Sequence, residues 1–223
     1  MIHVLRAIAL LLVSAAIAAV MLAVLSAMPP TARAPGVALR TVVHVPPEVR
    51  YLRALVARVN PSLPIEDPEC ALVLPGAIYR STHMHGLDWQ RLATLAWQES
   101  DFDCHAKNRV DRGGAYGPFQ IRQLWSSVIG DPRPLYFEPE LAVERVVQVV
   151  RYYQETGRYQ HLIGRGFRNP LLCLYNTGET LRVNMVYCRQ VGAKLRQLQE
   201  GWREFQAHER QQAIAAGAQP PAG

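Results

Sequence analysis

The spacing of apolar positions predicts a chain built mainly from helices. Apolar residues recur every three or four positions over six stretches, residues 47–59, 70–82, 88–100, 138–156, 169–176 and 183–206. Alternation of the strand type is nearly absent. We expect a turn over 83–87 and a loop or small hairpin over the polar, glycine-containing stretch 103–117. The pattern therefore predicts a mainly α domain.

The clearest helical pattern covers residues 88–100 and contains one misplaced charge. Asp88 is a good N-cap residue, and Leu87 is placed to pack onto Leu92 as a hydrophobic staple. Glu99 falls on the apolar stripe of this helix, one turn after Leu95. Burial of a carboxyl disfavours its charged form and raises its pKa from about 4.3, as in general acids that work near neutral pH. The alternative is a helix-end glutamate that pairs with an arginine such as Arg112 or Arg122.

The chain opens with an uncharged apolar stretch from Ala7 to Met28. About 20 apolar residues span a bilayer, whereas the apolar part of a signal peptide has about 7–15. The length favours a retained membrane anchor, with cleavage after the motif Ala32-Arg33-Ala34 as the rival. Prolines then mark an extended linker. We expect an anchor or uncleaved signal at 1–28, a proline-rich linker with a short helix at 29–68, the main domain at 69–211 and a disordered tail at 212–223.

The net charge and the cysteines indicate the kind of partner and the cellular compartment. The net charge of +6 suits an anionic partner, such as a cell-wall polymer or a phospholipid surface. The chain has no recognition-helix signature and no basic-aromatic patch, so we expect no nucleic-acid partner. Four cysteines without a C-x-x-C pair argue against a zinc ribbon or a thioredoxin motif and favour disulfides in an oxidising compartment. Four buried free thiols in a cytosolic protein are the alternative.

The helix order predicts how the cysteines pair. Two antiparallel helices joined by a tight turn bring their outer ends together, so Cys70 and Cys104 should be neighbours. Cys173 and Cys188 flank the turn between the last two helices in the same way. We predict these two bridges among the three pairings that four cysteines allow. No metal site is expected, because His83-Met84-His85 lies in a predicted turn with no cysteine at ligand spacing.

Three short segments occur in a specific order. Glu99-Ser100 ends a helix, Gly114-Ala115-Tyr116-Gly117-Pro118-Phe119-Gln120-Ile121 follows, and Leu174-Tyr175-Asn176-Thr177-Gly178 comes later. They resemble the signatures of the lytic transglycosylase domain of the lysozyme superfamily, the soluble type related to goose-type lysozyme. The resemblance covers about residues 74–198 and implies a lysozyme-like helical fold. Two departures, Pro118-Phe119 for Leu-Met and Leu174 for Ala, keep apolar bulk.

The resemblance implies the site and the reaction. Glu99 is the expected catalytic residue, with Tyr175 near its carboxylate. The expected substrate contacts are Ser100, Tyr116, Phe119, Gln120, Ile121, Tyr175 and Asn176. Such enzymes cleave the β-1,4 bond between N-acetylmuramic acid and N-acetylglucosamine and leave a 1,6-anhydro end, without a metal or cofactor. The expected partner is the peptidoglycan glycan strand, and the expected location is the periplasmic side of the inner membrane, anchored by a single transmembrane helix at residues 7–28. The alternative locations are the periplasm, for a secreted protein, and the virion.

Two other functions stay open at this point. A goose-type muramidase would hydrolyse the same bond with a second acid that positions water, for which Asp111 is the best-placed candidate, followed by Asp101 and Asp103. A non-catalytic wall-binding component of an envelope-spanning machine would need no desolvated acid. The sequence does not choose among conjugation, secretion, phage entry and wall turnover.

Overall fold

The computed structural model describes residues 44–108, 114–131, 133, 138–164, 167–176 and 183–217. The chain divides into two units, Met1–His44 and Val45–Gly223, and every element below belongs to the second. The predicted anchor at 7–28 lies outside the described residues. Within the described part, no helix combines the length and the apolar character needed to cross a membrane.

Helices dominate the described chain, which confirms the mainly α prediction. Three two-residue strands and a 3₁₀ turn at Gln123–Trp125 lie between the helices. In chain order the elements are α1 (Pro47–Val59), α2 (Leu63–Glu66), α3 (Pro68–His85), α4 (Trp89–Ser100), β1 (Lys107–Asn108), β2 (Ala115–Tyr116), β3 (Ile121–Arg122), the 3₁₀ turn (Gln123–Trp125), α5 (Ser126–Ile129), α6 (Pro139–Glu155), α7 (Arg158–Gly164), α8 (Pro170–Tyr175) and α9 (Met185–Ala215).

Side-chain caps define the hairpin of α3 and α4. Asp67 accepts a hydrogen bond from the Cys70 amide at the start of α3, and Asp88 accepts one from the Gln90 amide at the start of α4. Gly86 ends α3 in the left-handed conformation, with a φ of 64°. The helix therefore continues through His85 instead of turning at 83–87 as expected, because Gly86 is the residue that reverses the chain.

Helix α3 lies at the centre of the core. It packs against α1, α4 and α6, while α9 packs against α4 and α8. Leu52 and Leu55 of α1 are fully buried, and the Tyr51 hydroxyl donates to the Leu198 carbonyl over 2.9 Å. Helix α1 was placed in the linker from its flanking prolines, but its apolar face belongs to the core of the main domain.

Helix α9 is longer than its apolar pattern indicates. It continues to Ala215, past the expected end at 206 and into the segment expected to be a disordered tail. Its second half contacts α1, where Trp202 and Phe205 stack on each other with centroids 5.6 Å apart and both contact Tyr51. The ion pair Arg50–Glu209, at 2.5 Å, extends this contact. Packing against α1 thus supports the helix as far as Glu209.

The small hairpin, one of the two forms expected for 103–117, is present as β1 and β2, and β3 extends it to a three-stranded antiparallel sheet. Lys107 pairs with Tyr116 across β1 and β2, and Ala115 pairs with Arg122 across β2 and β3. The sheet holds the segment between β2 and β3 beside the end of α4, since Gln120 and Ile121 line a cavity together with Glu99.

The structure confirms both predicted cysteine pairings. Cys70 and Cys104 lie at disulfide distance with Cα atoms 6.0 Å apart, and Cys173 and Cys188 do so at 4.8 Å. The first pair joins the start of α3 to the chain just after α4. The second joins α8 to the first turn of α9.

Candidate active site

The chain turns sharply just after Glu99. Asp101 and Phe102 both adopt positive φ angles, 53° and 68°, which non-glycine residues rarely do. The fully buried Phe102 ring and the Cys70–Cys104 bridge hold this turn in place. The last turn of α4 is therefore fixed from both sides, and with it the carboxyl of Glu99.

Two side chains clamp the segment between β2 and β3 onto its surroundings. The Ser100 hydroxyl donates to the Pro118 carbonyl over 2.8 Å. The Gln120 amide nitrogen donates to the carbonyls of Ala106 and Gly117, each over 3.0 Å. Gln120 itself has a φ of 47°, a further left-handed non-glycine residue beside the cavity. These bonds set the position of the loop relative to Glu99.

A small cavity lies against the Glu99 carboxyl. Its volume is about 40 Å³, which is room for a few water molecules and far less than a sugar ring occupies. The lining residues are Glu99, Gln120, Ile121, Arg122, Trp125, Tyr175 and Asn176.

Burial controls the protonation of Glu99. Loss of hydration raises the pKa of its carboxyl to about 7, although the Tyr187 hydrogen bond and the positive charge of Lys194 each act to lower it. The Tyr187 hydroxyl donates to the Oε1 atom of Glu99 over 2.5 Å. Near neutral pH the carboxyl is therefore divided about equally between its proton-donating and proton-accepting forms, as the stripe position of Glu99 led us to expect.

Tyr187 bonds directly to the Glu99 carboxyl, and sequence reasoning missed it. We expected Tyr175 near the carboxylate, and Tyr175 does line the same cavity, but its hydroxyl donates to the Phe119 carbonyl over 2.7 Å. Burial and then the Glu99 charge raise the pKa of Tyr175 well above its usual value. The predicted Cys173–Cys188 bridge could have indicated Tyr187, because it brings the helix that carries Tyr187 close to Tyr175.

The structure brings together five of the predicted site residues, Glu99, Gln120, Ile121, Tyr175 and Asn176. Three others do not line the cavity. Ser100 clamps the loop, and the Phe119 ring is fully buried in the core, so only its carbonyl takes part. Tyr116 lies on β2, with the Lys107 ammonium 5.5 Å from its ring centroid. Arg122 and Trp125 line the cavity without having been predicted as site residues.

The described residues considered as a second acid or as an ion-pair partner for Glu99 do not contact its carboxyl in these roles. Asp101 lies 3.5 Å from the Lys194 ammonium, and Asp103 accepts a hydrogen bond from the His105 amide. Neither of them lines the Glu99 cavity. The carboxyl bonds to Tyr187, and Arg122 is not among the groups that shift its pKa. Asp111 and Arg112 lie outside the described residues.

The described residues offer little to a metal ion. One group of three potential ligands occurs among them, formed by Asp67, Cys70 and Cys104. Its two cysteines are paired in a disulfide, so no thiolate is left to bind a metal. His83, part of the segment considered for metal binding, stacks on Tyr79 with ring centroids 5.9 Å apart.

Comparisons with known proteins return no match. No protein-family model matches the chain. No curated protein and no solved structure matches it either. The case for a function consequently rests on the residues around Glu99.

Proposed function

We propose that the chain is a peptidoglycan lytic transglycosylase with a lysozyme-like catalytic domain. The observation that carries this proposal is a carboxyl with a pKa of about 7 at the wall of a cavity that it shares with Gln120, Tyr175 and Asn176. These residues come from the three segments whose order resembles the family signatures. Amide groups and an aromatic ring are the groups that recognise sugar hydroxyls and sugar faces.

Glu99 carries both proton transfers in this mechanism. The protonated carboxyl first donates its proton to the oxygen of the bond between N-acetylmuramic acid and N-acetylglucosamine. The bond from C1 of the muramoyl residue to that oxygen breaks, and N-acetylglucosamine leaves with the proton on its 4-hydroxyl. The resulting carboxylate then takes the proton of the C6 hydroxyl on the muramoyl residue, and that oxygen attacks C1 of the same sugar. A pKa near the working pH suits both steps, and the Tyr187 hydroxyl stabilises the carboxylate formed between them.

The single carboxyl among the described lining residues favours internal transfer over hydrolysis in this proposal. Glycoside hydrolases use two carboxyl groups, one of which activates water or attacks the sugar. Among the described residues that line the cavity, Glu99 is the only carboxyl. Asp111, the candidate second acid for hydrolysis, lies outside them. The two reactions differ in their products, which makes the choice an experimental one.

The proposed setting is the periplasmic side of the inner membrane. Two cysteine pairs at disulfide distance suit an oxidising compartment, and the net charge of +6 suits the anionic wall polymer. In this proposal residues 7–28 anchor the chain, and the glycan strand of peptidoglycan is its partner. An envelope machine or a virion that opens the wall locally is a further proposed context.

Replacement of Glu99 tests the enzymatic proposal. We expect Glu99→Gln to lower the release of soluble fragments from purified wall by at least about 100-fold, because the amide neither donates nor accepts the required proton. Glu155→Gln is the matched control, since Glu155 is an exposed glutamate at the end of α6. Loss of release in both variants, or in neither, would contradict the assignment of Glu99.

The pH dependence of the free energy of unfolding shows whether Glu99→Gln keeps the native fold. Folding raises the pKa of Glu99 from 4.5 to about 7, so the folded wild type loses stability as pH rises between these values. The variant should match the wild type below pH 4.5 and exceed it above pH 7, by up to about 3 kcal/mol in the free energy of unfolding. Urea unfolding at the two ends of this range measures the difference.

Mass spectrometry of the released fragments identifies the reaction. Internal transfer leaves an anhydro end that is one water lighter than the reducing end left by hydrolysis. We expect anhydro ends. Reducing ends alone would favour the muramidase alternative, and wall binding without any release would favour the non-catalytic one.

A further inference from the structure

Polar side chains of α9 contact α4 at successive levels, in the order of an antiparallel helix pair. The contacts are Tyr187–Glu99, Lys194–Trp97 and Gln199–Gln90. In the middle contact the Lys194 ammonium donates to the Trp97 backbone carbonyl over 2.8 Å. This carbonyl belongs to the last turn of α4, two residues before Glu99. The contact therefore fixes the register of the two helices beside the carboxyl.

The Lys194 ammonium is held by further groups at the end of α4. Its Nζ atom lies 5.2 Å from the centroid of the Trp97 ring and 3.5 Å from an Asp101 carboxylate oxygen. Carbonyls in the last turn of a helix carry partial negative charge, and a lysine that bonds to them is favourable there. Lys194 consequently stabilises the end of α4 that carries Glu99.

Tyr187 and Lys194 lie on one face of α9. They are seven positions apart, which is about two turns and about 10 Å along the helix. Val191 lies between them on the same face and is fully buried, so this face packs against the core. A helix fastened at Lys194 has little freedom to move at Tyr187. The Tyr187 hydroxyl thus stays on the Oε1 atom of Glu99.

Lys194 also influences Glu99 by its charge. Burial raises the pKa of Glu99, and the Tyr187 hydrogen bond and then the Lys194 charge lower it. A change at Lys194 can therefore reach Glu99 directly or through the position of Tyr187. The other titratable or charged groups around these residues are Tyr153, Tyr175 and Arg122 on the side of Glu99, and Arg58, Asp101, Glu200 and Glu204 on the side of Lys194.

We propose that Lys194 is a positioning residue, whose ammonium fastens α9 to the end of α4 and thereby keeps the Tyr187 hydroxyl on the Glu99 carboxyl. Lys194 does not line the Glu99 cavity, so it acts on the reaction through these two side chains. Its importance for turnover rests on the proposed function, whereas its control of Glu99 through Tyr187 rests on the contacts between the two helices.

A double-mutant cycle in the full chain separates the two ways in which Lys194 can reach Glu99. The chains are the wild type, Tyr187→Phe, Lys194→Met and the double variant. The carboxyl carbon of Glu99 is isotope-labelled, assigned by its absence in Glu99→Gln, and followed by NMR across the pH range. The titration midpoint gives the pKa of Glu99 without any substrate. Groups that act independently shift this pKa additively, and groups that act through each other do not.

We expect Tyr187→Phe to raise the pKa of Glu99 when Lys194 is present, because the hydroxyl favours the carboxylate. In Lys194→Met the same change should produce less than about half of that rise, since Tyr187 is no longer held against Glu99. Lys194→Arg, which keeps the charge and a donor, should restore most of the effect. An equal rise with and without Lys194 would overturn the proposal. The cycle is repeated with Lys194→Gln, so that a folding defect of one variant does not decide the result.

Arg196→Met is the matched control for the lost charge. Arg196 is an exposed arginine two positions beyond Lys194, and thus about 200° around α9 from it. Tyr187→Phe should keep its full effect on the pKa of Glu99 in this background. An equally diminished effect would also overturn the proposal, because loss of any positive charge on α9 would then be sufficient.

Fragment release from purified wall extends the test to turnover. Lys194→Met should lower kcat about tenfold near neutral pH and leave KM unchanged, because Lys194 positions a hydrogen bond and forms no part of the cavity wall. Tyr187→Phe should lower kcat further by less than about threefold in that background. A wild type that releases no fragments but shows non-additive pKa shifts would refute the proposed enzyme and keep the role of Lys194. Additive shifts in an active wild type would do the reverse.

Discussion

The proton of Glu99 is governed by two opposing influences at single residues. Burial favours the neutral carboxyl, and the Tyr187 hydroxyl favours the carboxylate by donating to its Oε1 atom. Burial has the larger effect, which leaves the pKa at about 7. Without the hydroxyl, desolvation would act with less opposition and the pKa would rise further.

We expect Tyr187→Phe to shift the pH dependence of the reaction. The rise in the pKa of Glu99 keeps the acid protonated to higher pH, so the alkaline fall in kcat should move to higher pH. The variant also loses a hydrogen bond to a charged group, which should lower kcat about tenfold near neutral pH. Fragment release measured across the pH range at saturating substrate checks both effects.

Tyr175→Phe is the comparison for this shift. The Tyr175 hydroxyl bonds to the Phe119 carbonyl and not to Glu99. Its loss should lower activity by loosening the loop, while the midpoint of the alkaline fall stays in place. The same shift in both variants would argue against a direct influence of Tyr187 on the carboxyl.

At the scale of elements, the two cysteine bridges stabilise different parts of the domain. Cys70–Cys104 joins residues 34 positions apart and fixes the turn after α4. Cys173–Cys188 joins residues 15 positions apart and connects α8, which carries Tyr175, to α9, which carries Tyr187. The longer loop constrains the unfolded chain more, and the shorter one lies closer to the tyrosines of the site.

Replacement of each cysteine pair by serine should separate stability from activity. Loss of Cys70–Cys104 should lower the free energy of unfolding by about 4 kcal/mol, and loss of Cys173–Cys188 by about 3 kcal/mol. Loss of the second pair should nevertheless lower kcat more at 25 °C, because Tyr187 is then held less firmly against Glu99. Urea unfolding and fragment release measure the two effects. A larger loss of kcat for Cys70–Cys104 would contradict this division.

At the scale of the whole molecule, the compact unit includes a helix from the proline-rich region. Leu52, Leu55 and Val56 of α1 are each at most 2 % exposed. Each buried side chain of this size contributes about 1.5–3 kcal/mol, and a domain as a whole retains only about 5–15 kcal/mol. The main domain therefore depends on α1 for a large share of its stability.

Truncation tests the boundary of the compact unit. A chain that begins at Val45 should unfold in a single cooperative transition, since it keeps α1. A chain that begins at Asn60 should be largely unfolded at 25 °C, because it exposes the surface of α3 and α9 that α1 covers. Thermal unfolding followed by circular dichroism compares them. Equal unfolding temperatures for the two truncated chains would show that α1 is dispensable.

The sequence alone determined the features that depend on neighbours along the chain. The bounds predicted for α1 agree with the structure, and Asp88 caps α4 as expected. The position of Glu99 on an apolar stripe indicated a raised pKa before any contact was known. Helical periodicity and side-chain caps act over three or four residues, so a single chain records them directly.

Only the tertiary structure decided which distant groups meet at the carboxyl. Tyr187 is 88 positions from Glu99, and no periodic pattern identifies it among the tyrosines of the chain. The packing of α1 onto α3 and α9, and the arrival of Arg122 at the cavity of Glu99, likewise depend on contacts between remote segments. Such contacts arise from the joint packing of many side chains, and local patterns do not encode their pairing.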